Sequence, residues 1–270
     1  MLSVQPLVIG ERLIFKVTHS RSIKEIIMKK SLIALALGFS FISITEIVTA
    51  NTLVTIVRKR TMAEDERKVS GFKAISSSGS YDVLITMGNN ESLRLQGDKD
   101  VIKGIETVVE NGILKIRNRN RNNWSWGSRD RVTIFITAKT LNSLTLSGSG
   151  DIVVKGVVKA NRLTNTLSGS GSITLSADAD EYISTINGSG EITVRGRADK
   201  ATIKIGGSGD FEGQDLKTSV ADIKVSGSGD ASIFVDKTLN AAVSGSGDIT
   251  YDGNAKVNKT KSGSGSISKF

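Results

Sequence analysis

Apolar and polar residues alternate with a period of two through the second half of the chain. Ile152 and Val154, Ile173 and Leu175, and Ile192 and Val194 stand two residues apart. Leu167, Ile186, Ile205, Val225 and Val243 each close another alternating run, whose first apolar member (Leu163, Tyr182, Ala201, Ala221 or Leu239) lies four residues earlier. The positions between are largely Thr, Lys and Asp, such as Thr166, Thr185, Lys204 and Lys224. Alternation of this kind predicts half-buried strands rather than helices.

Between the runs stands Ser-Gly-Ser-Gly-Asp or a close variant, first at Ser147–Asp151. It recurs at 168–172, 187–191, 206–210, 226–230, 244–248 and 262–266. The first glycines, Gly148, Gly169, Gly188, Gly207, Gly227, Gly245 and Gly263, are separated by 21, 19, 19, 20, 18 and 18 residues. A fixed period of this size signals a repeat architecture. Each unit reads as a strand, a turn (Lys155-Gly156, Arg195-Gly196, Asp252-Gly253), a second strand and a glycine corner. Such a unit cannot bury its apolar face alone, but stacked on its neighbours it forms continuous internal ladders. The predicted fold is all-β: a right-handed parallel β-helix, or β-solenoid, of about 18–21 residues per repeat, its hand following the preference of parallel crossovers. Six steps of ~4.8 Å give roughly 30 Å of regular solenoid. Glycine suits the corner because it accepts positive φ, expected at Gly209 and Gly229, and lets corners stack closely.

Residues 69–146 are β-rich but less regular and read as the cap of the same solenoid. Ser78-Gly79-Ser80-Tyr81-Asp82 is a degraded corner. Val83–Thr86 and Ser92–Leu95 read as a hairpin around Gly88-Asn89-Asn90, Asp100–Glu106 as a short helical turn, and Ile113–Ile116 and Val132–Ile136 as strands flanking a loop at 117–131.

Upstream, Met28-Lys29-Lys30, the apolar run Leu32–Ile44 and Val48-Thr49-Ala50 follow the order of a secretory signal peptide. This divides the chain into 1–27 (a start-site misassignment), 28–50 (signal peptide), 51–68 (a charged lead-in) and 69–270 (one solenoid domain). The apolar run is short for a bilayer span, and no cysteine follows it for lipoprotein processing. The expected protein is therefore exported, to periplasm, outer-membrane surface or medium, without an integral membrane segment after cleavage. Removing residues 1–50 leaves a net charge of +6, spread thinly and without the basic run of a dedicated nucleic-acid binder. The chain has no cysteine; a stacked core of this length does not need disulfides.

Gly71-Phe72-Lys73-Ala74-Ile75, the serine–glycine step before Tyr81-Asp82-Val83, Asn111-Gly112-Ile113-Leu114 and the Ser-Gly-Ser-Gly-Asp repeats together carry a resemblance. Over about residues 69–270 the chain resembles the auto-transporter adhesin head-domain (head GIN domain) family, common in exported proteins of the Bacteroidetes. The resemblance implies a β-helical exported protein with a surface-adhesion role and no catalytic residues.

The only histidine, His19, lies upstream of the signal-like segment, so residues 51–270 contain neither histidine nor cysteine. That removes Ser-His-Asp and Cys-His catalysis and most zinc sites. Carboxylate chemistry remains open in principle, because parallel β-helices host polysaccharide-cleaving enzymes whose acids converge on one face. The candidates Asp151, Asp210, Asp230 and Asp248 stack at one corner, but Ser172, Glu191 and Ser266 take the equivalent places. Substitution of that kind fits turn chemistry; calcium ligation is an alternative, although the calcium β-roll repeats every nine residues. The glycines are not a phosphate loop, which occurs once, between a strand and a helix. No cofactor is expected.

The segment 117–131 holds both tryptophans, Trp124 and Trp126, among five arginines including Arg119 and Arg121. It reads either as a solvated loop whose rings fold back on the solenoid end or as an aromatic–basic contact patch for a glycan or a cell-surface partner. The sequence thus points to a non-catalytic adhesion or binding module, with a carbohydrate-active enzyme or a purely structural envelope protein as alternatives.

Overall fold

The computed structural model describes residues 4–9, 12–17, 62–119 and 132–270, in two compact units spanning residues 1–56 and 57–270. In the first, β1 (Val4–Ile9) and β2 (Arg12–Val17) form an antiparallel hairpin. The signal-peptide span 28–50 lies outside the described residues.

The second unit is a β-solenoid of about seven turns. It begins with β3 (Met62–Arg67), a strand within the stretch read as a lead-in, followed by β4 (Ala74–Ser78), β5 (Asp82–Met87) and β6 (Ser92–Asp98). One helical turn, α1 (Lys99–Gly104), is capped by the Asp98 carboxylate, which accepts from the N–H of Asp100 at 2.9 Å. Next come β7 (Ile105–Glu110), β8 (Ile113–Asn118), β9 (Thr133–Ala138) and β10 (Ser143–Gly148). The long strands β11 (Asp151–Gly169), β12 (Ser172–Gly188), β13 (Glu191–Gly207), β14 (Asp210–Gly227) and β15 (Ala231–Gly245) follow. The last coil is β16 (Ile249–Asp252), β17 (Lys256–Gly263) and β18 (Ile267–Lys269).

Each long strand runs through a whole coil, where the sequence reads as two strands and a turn. Register shifts interrupt some of these pairings, for example between Val153 and Val157, while β12 and β13 pair without one. Coil on coil, the pairing is parallel and in register: Ile152, Ile173, Ile192 and Phe211 stack above one another, as do Leu146, Leu167, Ile186, Ile205, Val225 and Val243. All are buried, and each such aliphatic side chain contributes about 1.5–3 kcal/mol of transfer free energy. The interior also holds polar side chains, among them Asn165 and Ser184. Tyr182 is fully buried, and its hydroxyl accepts from Asn165 Nδ2 in the neighbouring coil at 2.9 Å. Burial pushes the Tyr182 hydroxyl far above its ordinary pKa, only partly offset by Asn165 and Ser184.

The cap is not built as the sequence suggests. β5 and β6 form no hairpin; β9 lies between them, parallel to β5 and antiparallel to β6. The chain makes its first coil from β4 and β5 and then turns outward through β6, α1 and β7. It lays β8 beside β4 and β9 beside β5, and returns to the opposite side with β10 and β11. The first coil is thus sandwiched. β7 and β8 form an antiparallel hairpin over Asn111 (φ 52) and Gly112 (φ 75), the positive-φ pair that a two-residue turn favours. Arg67 ties β3 to this end, donating to the carbonyls of Ile105 at 2.7 Å and Ile102 at 3.1 Å.

The corner glycines divide into two kinds. The first of each pair has positive φ, +138° at Gly227. The second does not: Gly209 and Gly229, expected from sequence to share that conformation, do not adopt it. Their constraint is space. A Cβ on Gly229 would stand 2.0 Å from the carbonyl oxygen of Gly209 in the coil beneath, a contact no packing adjustment of a side chain relieves.

Candidate binding site

Tyr81 explains where the site forms. Register places Ser78 beside Ser147 and Asp82 beside Asp151, so Tyr81 occupies the second-glycine position of the first coil. On its other side Ser78 pairs with Arg117 and Asp82 with Thr133. In the coil of β8 and β9, residues 118–132 make the connection that residues 79–81 make between β4 and β5. The Tyr81 ring is buried, and its hydroxyl donates to Asn118 Oδ1. Burial raises its pKa well above the ordinary tyrosine value.

Beside this plug, a groove of about 610 Å³ crosses four neighbouring strands. β8 supplies Lys115, Arg117 and Asn118; β4 supplies Ser76 and Ser78; β10 supplies Ser147 and β11 Ser168; Ser80 and Ser149 come from the corners. The serines face outward because they alternate with the inward residues Ile75, Ser77 and Leu146. No carboxylate is among the described residues that line the groove. Its two cations lie in exposed ion pairs with β7, Lys115 Nζ to Glu110 at 2.6 Å and Arg117 Nε to Glu106 at 2.8 Å. The hydrogen bond from Lys115 holds the Glu110 carboxyl below its usual range, and the bond to Glu106 raises Arg117 further. Exposed pairs of this kind contribute little to folding, so both cations remain free to turn toward an anion.

A second groove, of about 600 Å³, lies on the cap between Arg67, Arg94, Glu91 and Phe135. Its two arginines are engaged, Arg67 as above and Arg94 by stacking 4.6 Å over the Phe135 ring and bonding Glu64 at 2.6 Å; Lys68 also lines it.

Of the residues singled out in the sequence, Arg119 is exposed just after β8, its N–H donating to the Gly104 carbonyl at 2.8 Å. Arg121, Trp124 and Trp126 lie outside the described residues. The corner acids form a backbone ladder. The Asp151 carboxylate accepts from the Ser172 N–H at 3.1 Å, Asp210 from Asp230 at 2.9 Å, Asp230 from Asp248 at 2.7 Å and Asp248 from Ser266 at 2.6 Å. Among the described residues no three His, Cys, Asp or Glu side chains converge on a point. Replacing Asp230 with alanine removes one rung and is expected to cost about 1 kcal/mol, read as a lowered denaturant midpoint; a chelator should leave the wild-type midpoint unchanged. A chelator-sensitive midpoint lost in the variant would instead mark a cation at this corner.

The sequence matches a family model described as "Putative auto-transporter adhesin, head GIN domain" over residues 71–255. No curated protein matches it. Among solved structures, a putative adhesin from Bacteroides fragilis is 21% identical, with 78% of this chain and 97% of that one covered and a TM-score of 0.72. A putative lipid binding protein from Parabacteroides distasonis is 26% identical, covering 77% and 96%, with a TM-score of 0.63. A putative adhesin from Parabacteroides merdae is 17% identical, covering 77% and 96%, with a TM-score of 0.61.

Proposed function

Since the chain belongs to the family described as putative auto-transporter adhesin, head GIN domain, we propose that it is an exported, non-catalytic binding module of the adhesin kind. The observation that carries this reading is the serine-lined groove: a concave, hydroxyl-rich surface with two recruitable cations and, among its described residues, no acid–base pair. Enzymatic use of the corner acids is disfavoured because each is spent on the backbone of the next coil. A lipid ligand, suggested by the name of the P. distasonis protein, finds less support. The exposed large apolar side chains among the described residues are Met62, Val157 and Phe270, on separate elements, whereas a lipid site needs a contiguous apolar surface. Export is supported by the signal-like span at 28–50, and no described helix is long and apolar enough to cross a membrane.

Trp124, Trp126, Arg119 and Arg121 are proposed as further contacts, since paired indoles and guanidinium groups suit sugar rings and acidic substituents. Replacing both tryptophans with alanine should weaken binding to cells or to a glycan array by at least ~2 kcal/mol with little change in melting temperature. A double variant that folds and binds unchanged would remove the segment from the contact surface; one that unfolds would show that the rings are core.

A further inference from the structure

The groove has a direction. Its lining comes from consecutive members of one sheet, β8, β4, β10 and β11, so it runs across the strands rather than along them. Three strand steps of ~4.8 Å give it a length of roughly 14 Å. Its chemistry is graded along that line. Lys115 and Arg117 stand at the β8 end, and the serines of β4, β10 and β11 follow. Register carries both rows onward: Lys115, Ser76, Thr145, Thr166 and Thr185 form one outward column, and Arg117, Ser78, Ser147, Ser168 and Asn187 the other. Two parallel polar rows therefore begin at two cations.

A peptide strand is a poor occupant. Every strand beneath the groove already has a partner on both sides, which leaves no backbone edge to extend. The described lining offers no exposed apolar anchor, since its Ile116 is itself buried. A duplex or single-stranded nucleic acid would call for more cations than the two among the described lining residues, or for stacking rings, which those residues do not include. What matches is a narrow, linear, polyhydroxylated chain bearing negative charge. Hydroxyl rows exchange hydrogen bonds with sugar hydroxyls, and the planar guanidinium of Arg117 suits a two-oxygen anion.

Resting on the binding reading above, we propose that this groove holds a linear acidic glycan laid along the solenoid axis, with a carboxylate or sulfate seated between Lys115 and Arg117. Binding draws these cations from Glu110 and Glu106, exchanging two exposed ion pairs for charge-assisted bonds to the ligand.

The test is calorimetric titration of the purified protein with a galacturonic-acid hexamer, its fully methyl-esterified counterpart, a heparin-derived sulfated hexamer and a single-stranded oligonucleotide of equal charge. The free acid or the sulfated hexamer is expected to bind at least tenfold more tightly than the ester. Lys115→Gln with Arg117→Gln should abolish that difference while the melting temperature holds. Ser147→Val with Ser168→Val, which leaves both cations in place, should weaken acid and ester alike. The proposal is overturned if no acidic hexamer binds, if the ester binds equally well, or if the cation variant binds as wild type does. It is also overturned if the oligonucleotide binds as tightly with the same dependence on Lys115 and Arg117, which would make the site a general polyanion patch. Binding to neutral glycans or cells that survives the cation variant would overturn the acidic-glycan assignment and leave the adhesive reading standing.

Discussion

Gly227→Val is expected to cost about 4 kcal/mol of folding stability, more than any nearby corner substitution. Two penalties coincide there. The backbone stands at φ +138°, a region costing a side-chain-bearing residue about 1–3 kcal/mol. An added Cβ would also stand 2.1 Å from the Gly207 carbonyl oxygen, overpacking worth a further ~1–3 kcal/mol. Both obstacles are backbone held by the ladder on each side, so neither can rotate away. Gly229→Val meets only the second penalty, at 2.0 Å from the Gly209 oxygen, and should cost about 2–3 kcal/mol. Ser228, exposed between them, should tolerate alanine within ~0.5 kcal/mol. Denaturant midpoints of the three variants give the order directly. A valine at 229 more damaging than one at 227, or an effect at 227 below 1 kcal/mol, would contradict the division of the glycines into two kinds.

Alkaline pH should undo the interior. The Tyr182 hydroxyl is raised chiefly by burial, with Asn165 and then Ser184 opposing. In the unfolded chain a tyrosine ionises near pH 10, whereas in the fold it stays protonated well above that. Its stabilisation is therefore fully present below pH ~10 and lost as pH rises through the folded value, at up to ~1.4 kcal/mol per pH unit. Tyr81, raised for the same reason, adds to the slope. Tyr182→Phe keeps the ring in its place 6.2 Å from Phe211 but leaves the Asn165 amide without its acceptor. The variant should be about 1–2 kcal/mol less stable at pH 7 and should lose stability less steeply above pH 10. Parallel alkaline profiles for wild type and variant would show that Tyr182 is not the titrating group.

The regular coils were legible because their determinants are local and repeated. A two-residue apolar period and a glycine corner every 18–21 residues specify strand, bend and stacking register without any long-range information. The cap was less so. Val83–Thr86 and Ser92–Leu95 flank a loop that looks like a hairpin turn, and only the later strand β9, competing for the edge of β5, separates them. Asn111-Gly112 was a hairpin signal of the strongest short-range type, present in the sequence and not read as one. Tyr81 breaks the glycine motif, yet it is no loose end of the repeat: its ring is buried and its hydroxyl donates to Asn118. The serine-lined groove could not be read from sequence spacing at all. Its cations on β8 meet the serines of β4 only because the chain doubles back outside its first coil, and nothing in the spacing of Lys115 and Ser76 encodes that.

The sandwiched first coil makes the groove independent of how many regular coils are stacked beyond it. The groove is made by the coils around β4, while β12 to β15 form a run of near-equivalent coils beyond it. Duplicating or deleting one complete period there restores the same corner contacts at the new junction and leaves the groove unaltered. The solenoid is therefore a ruler marked in steps of ~4.8 Å. The distance between the groove and the last coil, β16 to β18, can be reset one step at a time while the groove itself stays as it is.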